Sequence, residues 1–160
     1  MQKLKIRSFV LVLLLAGLML SACSSAPKVD WTVQIEAPAI TPLSLSYSAL
    51  AAKPQTDLKD VLMQKTTGTD SISSWRGVSL ADLFKEAGAP ATYTSLSVEA
   101  ADGYVMEIPF SELTDAIIAL QENGKWIVES DPDHGPIRLV APTVPANRWV
   151  YALVKISVNP

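Results

Sequence analysis

Ser74-Trp75-Arg76-Gly77-Val78-Ser79-Leu80-Ala81-Asp82-Leu83-Phe84 is the stretch on which the reading of this chain turns. Its second half is a helix start: the Ser79 hydroxyl can accept from an early backbone amide, and Leu80, Leu83, Phe84 and Ala87 make one apolar face that Gly88 ends. Outward from this helix, short alternating runs dominate. Upstream, Val33 and Ile35 alternate with polar neighbours, Pro38 and Pro42 interrupt, and Leu43 to Tyr47 alternates again. Ser46 to Ala52 reads alternatively as a short helix ahead of Pro54, and Val61 with Met63 fits a third strand before a polar loop from Thr66 to Ser74. Downstream, Leu96 and Val98 pair across an Asp102-Gly103 turn with Val105 and Ile108, and Ser111 to Asp115 makes a turn of helix. Ile117 to Leu120, Asn123-Gly124 and Trp126 to Val128 read as a second hairpin, with final strands over Ile137–Ala141 and Trp149–Val158. The expected fold is therefore α+β, a single domain of mixed or mainly antiparallel β-sheets with a few short helices.

The N-terminus addresses the chain. Lys3, Lys5 and Arg7 precede an apolar run from Phe9 to Leu20, and Leu20-Ser21-Ala22-Cys23 has the layout of a bacterial lipoprotein signal. This divides the chain into a signal peptide over 1–22, a lipidated tether over 23–30 and a domain over 31–160. Two or three acyl chains such as palmitate on Cys23, at roughly 0.8 kcal/mol per buried CH₂, make a stable anchor in a lipid bilayer where one chain is marginal. The expected location is the extracytoplasmic face of a bacterial membrane. Ser24 rather than an aspartate follows the lipidated residue, which points to the outer membrane if the host has one and otherwise to the cell surface.

Charge and cysteine usage narrow the chemistry. Without the three basic residues of the signal, 10 Lys+Arg stand against 16 Asp+Glu, a net of −6, so nucleic acid is not an expected partner. Acylation consumes the single cysteine, and His134 is the single histidine, so a disulfide, a zinc or iron–sulfur site and a multi-histidine metal site are not expected. No repeat and no glycine-rich phosphate loop stands out.

The order of several unusual segments carries the reading further. The 74–84 stretch resembles the Trp-x-Gly-Val-x-Leu-x-x-Leu-Leu segment of the sulfite-oxidase-type oxidoreductase molybdopterin-binding domain. Ala101-Asp102-Gly103-Tyr104 resembles that family's hairpin, and Asn123-Gly124 its turn. His134-Gly135-Pro136-Ile137-Arg138-Leu139-Val140-Ala141-Pro142 is similar to its His-Gly-x-Pro-x-Arg-Leu-Val-x-Pro stretch, one residue shorter here. Leu50 to Pro54 and the ending from Arg148 to Val158 also fit, so the resemblance spans about 41–158 and is to the small stand-alone form. It implies a sulfite-oxidase-like fold and a molybdopterin cofactor.

Two departures bear on activity. Where the family's metal-ligating cysteine is expected, Leu62 to Gly68 places Lys65, and an ammonium has no lone pair to offer a metal. The family's Pro-Gly-x-x-Gly-x-Arg-x-Val-Lys-Trp aligns with Pro142 to Ala152, so Thr143, Ala146 and Tyr151 replace two glycines and a lysine. Glycines there let backbone amides approach a phosphate closely.

The resemblance nominates Lys65, Trp75, Tyr104, His134, Arg138 and Arg148 as cofactor- or ligand-contacting residues, with no catalytic residue and no metal ligand. Each has a plainer reading. Arg148 can form an ion pair at the core edge, Arg138 can pair with Asp131 or Asp133, and Lys65 can be solvated at a strand end. Trp75 and Tyr104 can pack on the sheet, and His134 can serve its turn. The expected function is a membrane-anchored, non-catalytic module for a pterin or another small anionic ligand. The alternatives are an active molybdopterin-dependent oxidoreductase with atypical metal ligation or a redox partner subunit, and a structural lipoprotein whose cleft is closed by side chains.

Overall fold

The computed structural model describes residues 25–160 apart from Ala39, so the expected signal segment and the Cys23 lipidation site lie outside the described residues. Ser25 to Asp30 has no regular structure before the first strand, β1 (Thr32–Glu36). Then come β2 (Leu43–Ser46), α1 (Tyr47–Ala52), β3 (Thr56–Met63), β4 (Ser71–Ser79) and α2 (Leu80–Ala87). After these run β5 (Ser95–Ala100), β6 (Val105–Pro109), β7 (Ile117–Glu122) and β8 (Lys125–Trp126). The helical turn α3 (Ile127–Ser130) leads to β9 (Arg138–Val140) and β10 (Leu153–Asn159).

The helix expected at 80–87 forms for the expected reason. Ser79 Oγ accepts from the Asp82 amide, Leu80, Leu83 and Phe84 are buried, and Gly88 ends the helix at φ +71°, a left-handed conformation that favours glycine. Ser46 caps α1 in the same way through the Ala49 amide, which settles the choice between strand and helix at 46–52.

Two sheets of opposite membership share one core. The first runs β2-β1-β10-β5-β6, with β1 parallel to β10 and its other pairs antiparallel. The second runs β3-β4-β7-β8, with β9 pairing on β7. Alternate residues of the first sheet (Val33, Ile35, Val98, Ile156) and of the second (Met63, Trp75, Ile118, Leu120) enter a single contiguous apolar cluster. That burial holds together a domain that draws on no disulfide.

The structure departs from the expected elements in three places. β4 begins at Ser71, inside the expected polar loop. Its serines are tolerated there because neighbouring strands satisfy them: buried Ser73 donates to Glu122 Oε1 at 2.8 Å, and the Ser74 amide donates to Asn123 Oδ1 at 2.9 Å. The strand expected over Trp126–Val128 stops at Trp126 and turns into α3, where the Asp131 amide donates to the Ile127 carbonyl at 2.8 Å. The last strand starts at Leu153 rather than Trp149, since Ala146–Arg148 forms a 3₁₀ turn and Tyr151 makes only an isolated bridge to Arg138.

Gly77 explains how β4 and β7 lie so close. A Cβ there would stand 2.1 Å from the Ile118 carbonyl oxygen, so only glycine fits beside the register shift between Arg76 and Gly77.

Candidate functional site

The site is built around an arginine inside the core. β9 places Arg138 opposite Ala119 of β7, and the Leu139 amide donates to the Val150 carbonyl at 2.9 Å, which brings the 149–152 segment alongside. Arg138 is 3% exposed, and such a charge needs partners. Nη2 donates to Asp131 Oδ2 at 3.2 Å, while the guanidinium carbon sits 3.7 Å from the Tyr151 ring centroid and 4.9 Å from that of Trp75. Nε has no hydrogen-bond partner among the described residues. Desolvation lowers the Arg138 pKa, opposed by Tyr151, Glu122 and Asp131, and the guanidinium stays charged.

Asp131 serves two residues. Its Oδ1 lies 2.7 Å from His134 Nδ1, and the His134 ring stands 4.9 Å from that of Tyr151. Behind it, Gly135 is required. Its φ is +77°, and a Cβ would come within 2.7 Å of the Ala152 Cβ, itself on a residue with φ +45° whose amide donates to the His134 carbonyl.

Over this cluster opens a cavity of about 560 Å³. Trp31, Tyr104, Trp149 and Tyr151 supply its aromatic wall, and Asp102, Asp133 and His134 its polar edge. Among the described residues, no lysine or arginine lines it. Trp31 is held by its indole N–H donating to the Leu153 carbonyl at 2.7 Å. Trp149 donates to the Ala141 and Val144 carbonyls and sets its ring edge-on to Trp75 at 5.7 Å. Tyr104 stands on the β5–β6 hairpin, whose turn is tied by Asp102 Oδ1 accepting from the Tyr104 amide, and it is 48% exposed.

The six nominated residues thus separate. Trp75, Tyr104, His134 and Arg138 gather around Tyr151, although Trp75 is buried and Arg138 lies behind the wall instead of on it. Trp75 also borders a second cavity of about 630 Å³, beside the Arg76–Asp57 ion pair. Lys65 and Arg148 line neither cavity. Lys65 is exposed, its amide tied to Asp70 Oδ1 at 2.9 Å, and Arg148 pairs with Glu112 Oε2 and donates to the Glu107 carbonyl. Sequence reading did not assign Trp31 or Trp149 to the site. Their distance from the nominated motifs hid Trp31, whereas Trp149, next to Arg148, carried a usable signal.

The two-sheet α+β architecture is that of the sulfite-oxidase-type molybdopterin-binding fold. The chain belongs to the oxidoreductase molybdopterin binding domain family, whose sequence model matches residues 22–160. Among solved structures, it is similar to the sulfane dehydrogenase SoxCD from Paracoccus pantotrophus, with a TM-score of 0.68 and 22% identity over 84% of this chain. The match spans 40% of that chain's length. No curated protein sequence matches.

Tested against the family's cofactor, the residues at both anchoring points fit poorly. Where the resemblance puts the metal ligand stands the exposed Lys65 ammonium, and among the described residues no group of three or more His, Cys, Asp or Glu is placed to hold a metal. At the phosphate end, the Ala146 amide already donates to the Gln64 carbonyl at 3.0 Å. Thr143 Oγ1 donates to the Glu112 carbonyl, and Arg148 is committed to Glu112. Three of the segment's donors, the Ala146 amide, the Thr143 hydroxyl and the Arg148 guanidinium, are thus engaged within the protein.

Proposed function

We propose that this protein is a lipoprotein held by acylated Cys23 on the extracytoplasmic face of a bacterial membrane, the outer one where the host has two. Its molybdopterin-binding-type domain binds a small molecule without molybdenum chemistry. The observation that carries this reading is the aromatic cavity over Tyr151, present while Arg148 and the Ala146 amide are engaged within the protein and an exposed lysine stands where the metal ligand is expected. Its chemistry favours a planar, donor-rich heterocycle. Trp31, Tyr104, Trp149 and Tyr151 offer stacking faces, and Asp102 and Asp133 offer acceptors for ring N–H groups such as those on a pterin's amino edge. An anionic ligand gains less, because among the described residues the wall carries carboxylates and no lysine or arginine. His134, oriented by Asp131, adds one directional hydrogen-bonding group.

The test uses the full chain purified through its native export pathway. Elemental analysis is expected to find molybdenum far below one per chain, and titration with neopterin is expected to quench tryptophan fluorescence. Tyr104→Ala should abolish that quenching while leaving the melting temperature nearly unchanged, since Tyr104 is half exposed. One molybdenum per chain overturns the non-catalytic reading; an unresponsive fluorescence overturns the cavity as the binding site.

A further inference from the structure

A third cavity, of about 410 Å³, lies away from Tyr151 between α2 and the turn after β6. Its wall is almost wholly hydrocarbon: Leu80, Phe84, Pro90, Tyr93, Phe110 and Leu113. The rings are ordered rather than collapsed. Tyr93 packs edge-on between Phe84 at 5.5 Å and Phe110 at 4.5 Å, and Phe110 remains 42% exposed. Burial pushes the Tyr93 phenol up to about 12, so it is a neutral group at physiological pH.

One charged side chain lines this cleft, Lys85 in the last turn of α2. Lys85 is exposed and, like Lys28, Lys59, Lys65 and Lys125, makes no ion pair among the described residues, but it is the one of these that borders an apolar cleft. An apolar slot with a single unpaired ammonium complements an amphiphile with an anionic head. A neutral hydrocarbon leaves the ammonium unused, and a cationic amphiphile is repelled by it.

We infer that the cleft lined by Leu80, Phe84, Tyr93 and Phe110 is a second binding site, which takes a carboxylate on a hydrocarbon chain, a free fatty acid, with Lys85 at the head group. This site is independent of the Tyr151 cavity and of any pterin.

The experiment photolabels the full-length, membrane-reconstituted chain with a diazirine-bearing dodecanoic acid and maps the adducts by mass spectrometry. Adducts are expected on the 80–93 and 110–113 segments, to be competed by dodecanoate, and to fall roughly five- to tenfold in Lys85→Glu. Ala81→Phe, which narrows the slot without adding an indole, should remove them without altering neopterin quenching. The inference is overturned by adducts scattered over the surface, by equal labelling from the diazirine-bearing dodecanol, or by labelling unchanged in both variants. A circular-dichroism melt of each variant separates lost binding from lost folding, and a folded Lys85→Glu that labels like the parent counts against the site.

Discussion

The guanidinium carbon of Arg138 lies 3.7 Å from the centroid of the Tyr151 ring, and this contact joins the core of the second sheet to the wall of the aromatic cavity. Tyr151 occupies the position where the resemblance sets a lysine. Tyr151 thus both lines the cavity and covers the buried Arg138 guanidinium.

The Arg138–Asp131 pair should respond unequally to truncation. Asp131→Ala strands a guanidinium that is 3% exposed and should cost about 3 kcal/mol. Arg138→Met leaves Asp131, which is one-third exposed and still beside His134, and should change stability by about 1 kcal/mol or less. Urea unfolding of the two variants measures the difference, and equal losses would refute this account.

Gly77→Ala should cost about 3 kcal/mol, because the new methyl meets the Ile118 carbonyl of the facing strand, which cannot swing away as a side chain could. A chemical-denaturation midpoint within error of the parent would contradict the close β4–β7 approach.

Lys65→Cys alone should not load molybdenum. The thiol would sit in an exposed loop while the Ala146 amide and Arg148 stay engaged by Gln64 and Glu112. Metal analysis at one equivalent in this variant would show that the phosphate end is more permissive than its contacts imply.

Alkaline pH should destabilise the domain through two phenols. Burial raises Tyr47 and Tyr93 from 10.0 to about 12, so the unfolded state loses its phenolic protons first. Their contribution is fully present below pH 10 and falls as pH rises from there to about 12. The Tyr47 hydroxyl is also buried without a hydrogen-bond partner among the described residues, so Tyr47→Phe should be neutral or stabilising by about 1 kcal/mol and should flatten the alkaline limb. Melting temperatures across that range report both effects.

The parts of the fold legible in the sequence were those whose causes are local. Ser79, the Leu80-Leu83-Phe84 face and Gly88 lie within one helix, and Asp102-Gly103 lies within one hairpin. The serine run at 71–74 read as a loop because its partners, Glu122 and Asn123, lie about fifty residues along the chain. Trp126 to Val128 read as a strand because β-branched residues favour one, yet the chain folds into a helical turn before Asp131 meets Arg138.

By itself, the sequence determined an α+β domain of the molybdopterin-binding type in which a lysine stands where a thiolate ligand is expected. It did so because residue chemistry and short-range order are properties of the chain alone. Only the tertiary structure decided which nominated residues meet. Trp31 reaches Leu153 across 122 positions, Tyr151 covers Arg138, and Lys65 and Arg148 are left off the cavity wall. Contacts of that kind depend on strand register and packing, and no local pattern encodes them.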